Sequence, residues 1–278
     1  MTLKWDGHTH TKFCYHGNDA EQEAYLDRAV ALGFERYTIS EHPPLPENWV
    51  EDGELFRELA MPMDELPAYM AYAKTMKRQY EGRLDVTVGL ELDYLPGAFG
   101  FTERIVDKWQ GELEDIVYSV HYLRGRGGAM QCIDFKPDHF AEHLLAYYGT
   151  MTNVVDEYYD HVEAAIARAG HLPSHTRKRI GHINLIEKFA SALPPIDENH
   201  IRRRLEAILP LLAATGVGID VNTAGMRVAT CGKPYVPDWF LAACRARGIA
   251  CVYGSDSHKP DHVGFGWEWF AAQSNIGR

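Results

Sequence analysis

Leu3-Lys4-Trp5-Asp6-Gly7-His8-Thr9-His10 (residues 3–10) opens as a short strand and ends in two histidines one residue apart. In an extended chain alternate side chains point the same way, so His8 and His10 present both imidazoles on one face and can reach one metal ion. From this strand onward, short β-branched or apolar runs recur at residues 3–6, 36–40, 85–90, 116–120, 179–181, 217–221 and 250–254. Amphipathic stretches near 21–32, 63–80, 102–111, 137–147, 153–169, 198–214 and 237–247 separate them. In the stretch 198–214, Ile201, Leu205, Ile208, Leu209 and Leu212 recur every three or four residues, an apolar stripe suited to packing on a sheet. Seven strands alternating with helices predict parallel strands joined by right-handed crossovers, in either an open doubly wound sheet or a closed barrel. No linker interrupts the pattern, and one domain over residues 1–278 is expected.

The ends of the other strands repeat the chemistry of the first. The second ends in Ser40-Glu41-His42, the third in Gly89-Leu90-Glu91, the fourth in Ser119-Val120-His121, the fifth in Gly181-His182 and the last in Gly254-Ser255-Asp256-Ser257-His258. His16 follows the first strand by a short turn. Any one of these is commonly a capping or hydrogen-bonded residue; the pattern carries the information. Seven of the 14 histidines (His8, His10, His16, His42, His121, His182, His258) lie at strand ends or the adjoining turn. The other seven lie on helices or loops and read as solvated. In α/β sheets and barrels, ligands bind beyond the strand carboxyl ends. Imidazole-rich donors favour transition metals over magnesium or calcium, and nine ligands are too many for one ion and suited to two or three. Cys14 sits close by and reads as a small buried residue.

The 278 residues are 46% hydrophobic and 24% charged, the composition of a soluble globular protein. The longest uncharged stretch, residues 207–219, is too short for a membrane span and contains Pro210 and Gly216. No secretory signal opens the chain, and five scattered cysteines without a CxxC suit reduced thiols; a cytoplasmic location is expected. The net charge of −11 argues against nucleic acid, and Arg177-Lys178-Arg179 is a weak counterweight. Three irregular stretches, 43–62, 124–136 and 225–237, are expected to cover a site at the strand ends. Oligomeric state is open.

Together, His8-Thr9-His10, Ser40-Glu41-His42, Glu91, Ser119-Val120-His121, Gly181-His182 and Asp256-Ser257-His258 resemble the ordered motifs of the polymerase-and-histidinol-phosphatase (PHP) family of metal-dependent phosphoesterases. The stretches DGHTHTKFCYHG, YTISEHPPLP and KRIGHINLIEKF are similar to its histidinol-phosphatase branch. The resemblance implies a distorted seven-stranded (β/α)7 barrel with a trinuclear metal centre at the strand carboxyl ends. It assigns His8, His10, Glu91 and Asp256 to the first metal, Glu91, His121 and His182 to the second, and His16, His42 and His258 to the third. Zinc, iron or manganese, as two or three divalent ions, are the expected cofactors.

The implied activity is hydrolysis of L-histidinol phosphate in histidine biosynthesis by a metal-bridging hydroxide, with another small phosphomonoester or a nucleotide as the alternative. Asp256 is the candidate proton acceptor; pure metal ligation is the other role open to it. Arg227, after a strand end and able to hold two phosphate oxygens at once, is the first candidate for phosphate binding, and Arg179 the second. Glu47, Trp49, Glu51 and Asp52 offer charges and an aromatic face for the substrate's ammonium and imidazole, although solvated loop acids are the commoner case. A structural module that binds metal and supports a polymerase is disfavoured by the full ligand set.

Overall fold

The computed structural model describes residues 3–273. Seven parallel strands form one sheet: β1 (Trp5–Asp6), β2 (Arg36–Glu41), β3 (Asp85–Asp93), β4 (Asp115–Ser119), then, after a two-stranded antiparallel hairpin of β5 (Tyr122–Arg124) and β6 (Met130–Cys132), β7 (Arg177–Ile180), β8 (Gly218–Asn222) and β9 (Cys251–Gly254). Their order is β1-β2-β3-β4-β7-β8-β9. Main-chain bonds from Gly7 N to Tyr253 O (2.8 Å), Asp256 N to His8 O (2.8 Å) and His10 N to Ser257 O (2.9 Å) bring the two edges together. The sheet therefore curls into a distorted (β/α)7 barrel, the closed alternative of the two that alternation allowed.

The core forms where strand residues meet helix stripes. Ile201, Leu205, Ile208, Leu209 and Leu212 of the helix Glu198–Thr215 are all buried, as the spacing predicts. That helix begins where Asp197 accepts from Asn199 N and ends at Gly216 in the left-handed conformation (φ 67°), which glycine adopts without a Cβ penalty.

Differences from expectation cluster around the mouth. Strand β3 runs to Asp93, because Glu91, Leu92 and Asp93 continue pairing with Val117, Tyr118 and Ser119. Within the segment expected to be irregular, Gly53–Leu59 is a helix whose first N–H groups are capped by Asp52. This helix and the β5–β6 hairpin share a second apolar cluster, with Leu45, Val50, Leu55, Tyr122 and Met130 buried apart from the main core. The cover over the site is thus a packed layer with its own small core. Among the described residues no helix is long and apolar enough to cross a membrane.

Candidate metal centre

Glu91, third from last on β3 and buried, is the point on which the strand ends converge. Its Oε2 lies 3.0 Å from His8 Nε2, 3.3 Å from His10 Nε2 and 3.4 Å from His42 Nδ1. Its Oε1 lies 3.0 Å from His182 Nε2 and 3.6 Å from His121 Nε2. Asp256 Oδ1 is 3.3 Å from His10 Nε2 and 4.0 Å from His8 Nε2. On the outer side His258 Nε2 and His16 Nε2 are 3.2 Å apart, and the His42 and His258 rings each stack on the His10 ring, at 4.5 and 4.0 Å between centroids. All nine residues singled out as ligands therefore meet at the barrel mouth.

The backbone is shaped to allow this. A Cβ on Gly181 would run into Ser119 Oγ, which donates to Glu91 Oε1 (2.6 Å); one on Gly254 would run into Asp220 Oδ1 and His8 Cβ. His182 and Asp256 adopt positive φ (20° and 53°), uncommon for residues with a side chain and concentrated at functional sites.

For seven of these donors burial opposes charge, and for five of them, His8, His10, His121, Glu91 and Asp256, attraction between neighbours overcomes it. Burial lowers His8 and His10, yet Glu91, Asp220 and Asp256 around the first, and Glu41 and Asp256 around the second, hold both well above the usual imidazole range. Burial raises Glu91 and Asp256, yet the surrounding imidazoles hold both well below the usual carboxylate range. His42 and His258 are depressed well below theirs by burial, with positive charge on His10 adding to it.

These donors fit divalent metal ions. The Nε2 atoms of His8 and His10 are fully buried and make no hydrogen bond. Ring nitrogens face one another at 3.0 Å (His121 and His182) and 3.2 Å (His16 and His258), close to the ~3.3 Å that separates donors around a tetrahedral cation with ~2.0–2.1 Å bonds. Among the described residues, three groups have donor atoms within 4.8 Å of one another: His8, His10 and Asp256; His42, Glu91 and His121; and His10, Cys14, His42 and His258. The last brings Cys14 up to the cluster, although burial pushes its thiol far above the ordinary range.

Three carboxylates that the sequence reading passed over lie behind the rings. Asp220 Oδ2 accepts from His8 Nδ1 (2.8 Å), Glu41 Oε1 from His10 Nδ1 (3.0 Å) and Asp93 Oδ1 from His121 Nδ1 (2.6 Å). Each leaves the ring's Nε2 turned to the cluster. For Asp93 a signal exists: it stands two residues beyond Glu91 on one strand, hence on the same face.

Above the cluster opens a cavity of about 470 Å³, within the range of small-molecule sites. Arg227, Lys188, Asp134, Tyr235 and His262 line it. The Arg227 guanidinium donates to Ser255 O (2.8 Å) and Asp256 O (3.0 Å), which leaves three of its five N–H groups uncommitted to these bonds. Lys188 donates to Asp134 (2.9 Å). His262, read from sequence as solvated, is a wall residue whose pKa is lowered to about 4 by burial and by Arg227.

Arg179 is the correction. It is buried in the barrel, donating to Asp115 Oδ1 and Gly7 O (2.6 Å each), and does not line the cavity. Arg179 lies within β7 itself, below the mouth, whereas His182 lies beyond the strand's end. Likewise Glu47, Trp49, Glu51 and Asp52 stay out of the cavity; their segment contributes Leu55, Glu58 and Leu59 instead.

Residues 6–224 match the model of the PHP domain, and residues 241–276 that of the PHP-associated region. The chain belongs to the PHP-domain family. This PHP protein is 33% identical over 267 residues to the histidinol-phosphatase of Bacillus subtilis (strain 168), covering 96% of this chain and 98% of that one. It is 33% identical over 266 residues to a "Probable histidinol-phosphatase" of Deinococcus radiodurans, covering 95% and 90%. The crystal structure of the hisK protein of Listeria monocytogenes superposes with a TM-score of 0.90 at 31% identity, over 96% of this chain and all of that one. The histidinol phosphate phosphatase of Lactococcus lactis, solved with zinc, L-histidinol and phosphate, superposes at 0.69 over 98% and 94% with 16% identity, a likeness of fold.

Proposed function

We propose that this PHP protein is a metal-dependent phosphomonoesterase that hydrolyses L-histidinol phosphate to L-histidinol and phosphate in histidine biosynthesis. The observation that carries this reading is the convergence of nine donors around Glu91 beneath a cavity bearing Arg227 and Lys188, in a chain that aligns nearly end to end with relatives named histidinol-phosphatase. His8, His10, Glu91 and Asp256 would hold one ion, Glu91, His121 and His182 a second, and His16, His42 and His258 a third, with zinc, iron or manganese suited to this ligand set. Bound there, divalent ions supply hydroxide at neutral pH and positive charge opposite the phosphoryl oxygens.

The chain's own residues do the rest. Arg227 directs its remaining N–H groups at phosphate oxygens, and Lys188 supplies the second cation in the position first given to Arg179. Asp256, kept ionised by the imidazoles around it, accepts the proton of the attacking water, and Asn222 Nδ2, donating to its Oδ2 at 3.1 Å, holds it in place. The pairing of β9 with β8 and its closure on β1 support one domain over 1–278, whose ends at 1–2 and 274–278 lie outside the described residues. Five unpaired thiols favour the reducing cytoplasm.

Phosphate release by purified, metal-loaded protein tests the assignment. Histidinol phosphate should exceed nucleoside monophosphates and 3′,5′-bisphosphates in kcat/KM by about 100-fold or more. Preference for a nucleotide would move the substrate, and hydrolysis of no phosphomonoester would overturn the enzyme in favour of a metal-binding structural module.

A further inference from the structure

The three ligand sets differ in the negative charge that surrounds them. The first contains two carboxylates, Glu91 and Asp256, and two of its rings are backed by further carboxylates, Asp220 behind His8 and Glu41 behind His10. The second contains Glu91 and has Asp93 behind His121, while His182 Nδ1 is buried without a hydrogen bond. The third has no carboxylate assigned to it alone: Glu91 Oε2, 3.4 Å from His42 Nδ1, is shared with the first two sets. His16 Nδ1 is paired with the main-chain oxygen of Glu58 (2.8 Å) and His258 Nδ1 with that of Asp256 (3.1 Å); the Asp256 carboxylate, 3.4 Å from His258, belongs to the first set. The His16 side is also open to solvent, and its partner Glu58 lies on the short covering helix Gly53–Leu59, away from the barrel strands.

A carboxylate hydrogen-bonded to the far nitrogen of a ligating imidazole fixes its tautomer and makes it a stronger donor, and its removal lowers metal affinity about 10- to 100-fold. A buried divalent cation is further stabilised by each nearby anion. We propose, on the strength of the metal-centre reading above, that Glu41, Asp93 and Asp220 are positioning residues that make the first two sites tight and leave the third, His16–His42–His258, as a labile site that loses its ion first.

The test is a zinc-release titration of the full-length protein against a competing chelator, with bound zinc read by elemental analysis. The expected curve has two steps, one ion leaving at a free zinc concentration at least about tenfold higher than the last two. His16→Ala should remove the first step alone. Asp93→Asn and Asp220→Asn, which keep an oxygen to accept from Nδ1 and lose only the charge, should move the second step about 10- to 100-fold and leave the first in place. Cys14→Ser should leave both steps unchanged. Release of all three ions in one step would overturn the proposal, as would a carboxylate variant that shifts both steps together, the mark of a merely structural role. A Cys14→Ser shift of the first step would overturn it too, because a thiolate would then charge the third site. Zinc failing to bind at all would instead refute the metal-centre reading itself.

Discussion

Arg227 and Arg179 stand near the ends of the neighbouring strands β8 and β7, and they have opposite environments. Arg227 lines the cavity, braced by two main-chain oxygens; Arg179 is 2% exposed and paired with a fully buried Asp115. Arg227→Ala should raise KM for histidinol phosphate about 10- to 100-fold, since a charged hydrogen bond is worth about 1.5–3 kcal/mol, with bound metal unchanged. An unaltered KM would remove it from phosphate binding. Arg179→Met should leave KM alone and lower stability by about 1.5–3 kcal/mol in denaturant titrations, because Asp115 loses its 2.6 Å partner and keeps the more distant Arg177 at 3.6 Å. The sequence located members of the cluster well where a side chain follows a strand and period-two geometry fixes its direction, as for His8, His10 and His121. It could not distinguish the two arginines, because which end of a barrel a long side chain reaches depends on the closure of the sheet. Nor did it reveal Glu41, Asp93 and Asp220 behind the rings, whose partners lie 31, 28 and 212 residues away in the chain.

At the scale of elements, β8 and β9 approach so closely that only a glycine fits between Asp220 and His8. Gly254→Ala should push Asp220 off His8, costing about 1–3 kcal/mol of stability by overpacking and lowering zinc affinity at the same time. Thermal unfolding with zinc analysis of the dialysed protein checks both, and wild-type values would mean that Asp220 can move aside freely. The seven strands were legible from apolar runs and the helices from their stripes, Ile201 to Leu212 most clearly. Strand β3 was read three residues short because Glu91 and Asp93 look like a polar stop, whereas both are buried by their partners in the cluster. The helix Gly53–Leu59 escaped notice because it is brief and owes its stability to the Asp52 cap and to packing of Leu55 against the hairpin.

For the whole molecule, a net charge of −11 and an anionic substrate pull in opposite directions. On the proposed reading attraction has to be local, from the cations the donor cluster would hold and from Arg227 and Lys188, within a surface that repels phosphates at long range. On that reading the stripped protein should hold a phosphomonoester weakly, and activity should belong to the metal-loaded state. The most direct measurement is therefore a parallel titration of metal-free protein with zinc, following bound zinc by elemental analysis and phosphate release from histidinol phosphate on the same samples, beside His121→Ala. Activity should be absent at the start and rise as zinc fills the cluster, with His121→Ala binding less metal and turning over in proportion. Full turnover by the metal-free protein, or by His121→Ala with normal zinc content and rate, would contradict a metal centre at the barrel mouth as the seat of catalysis.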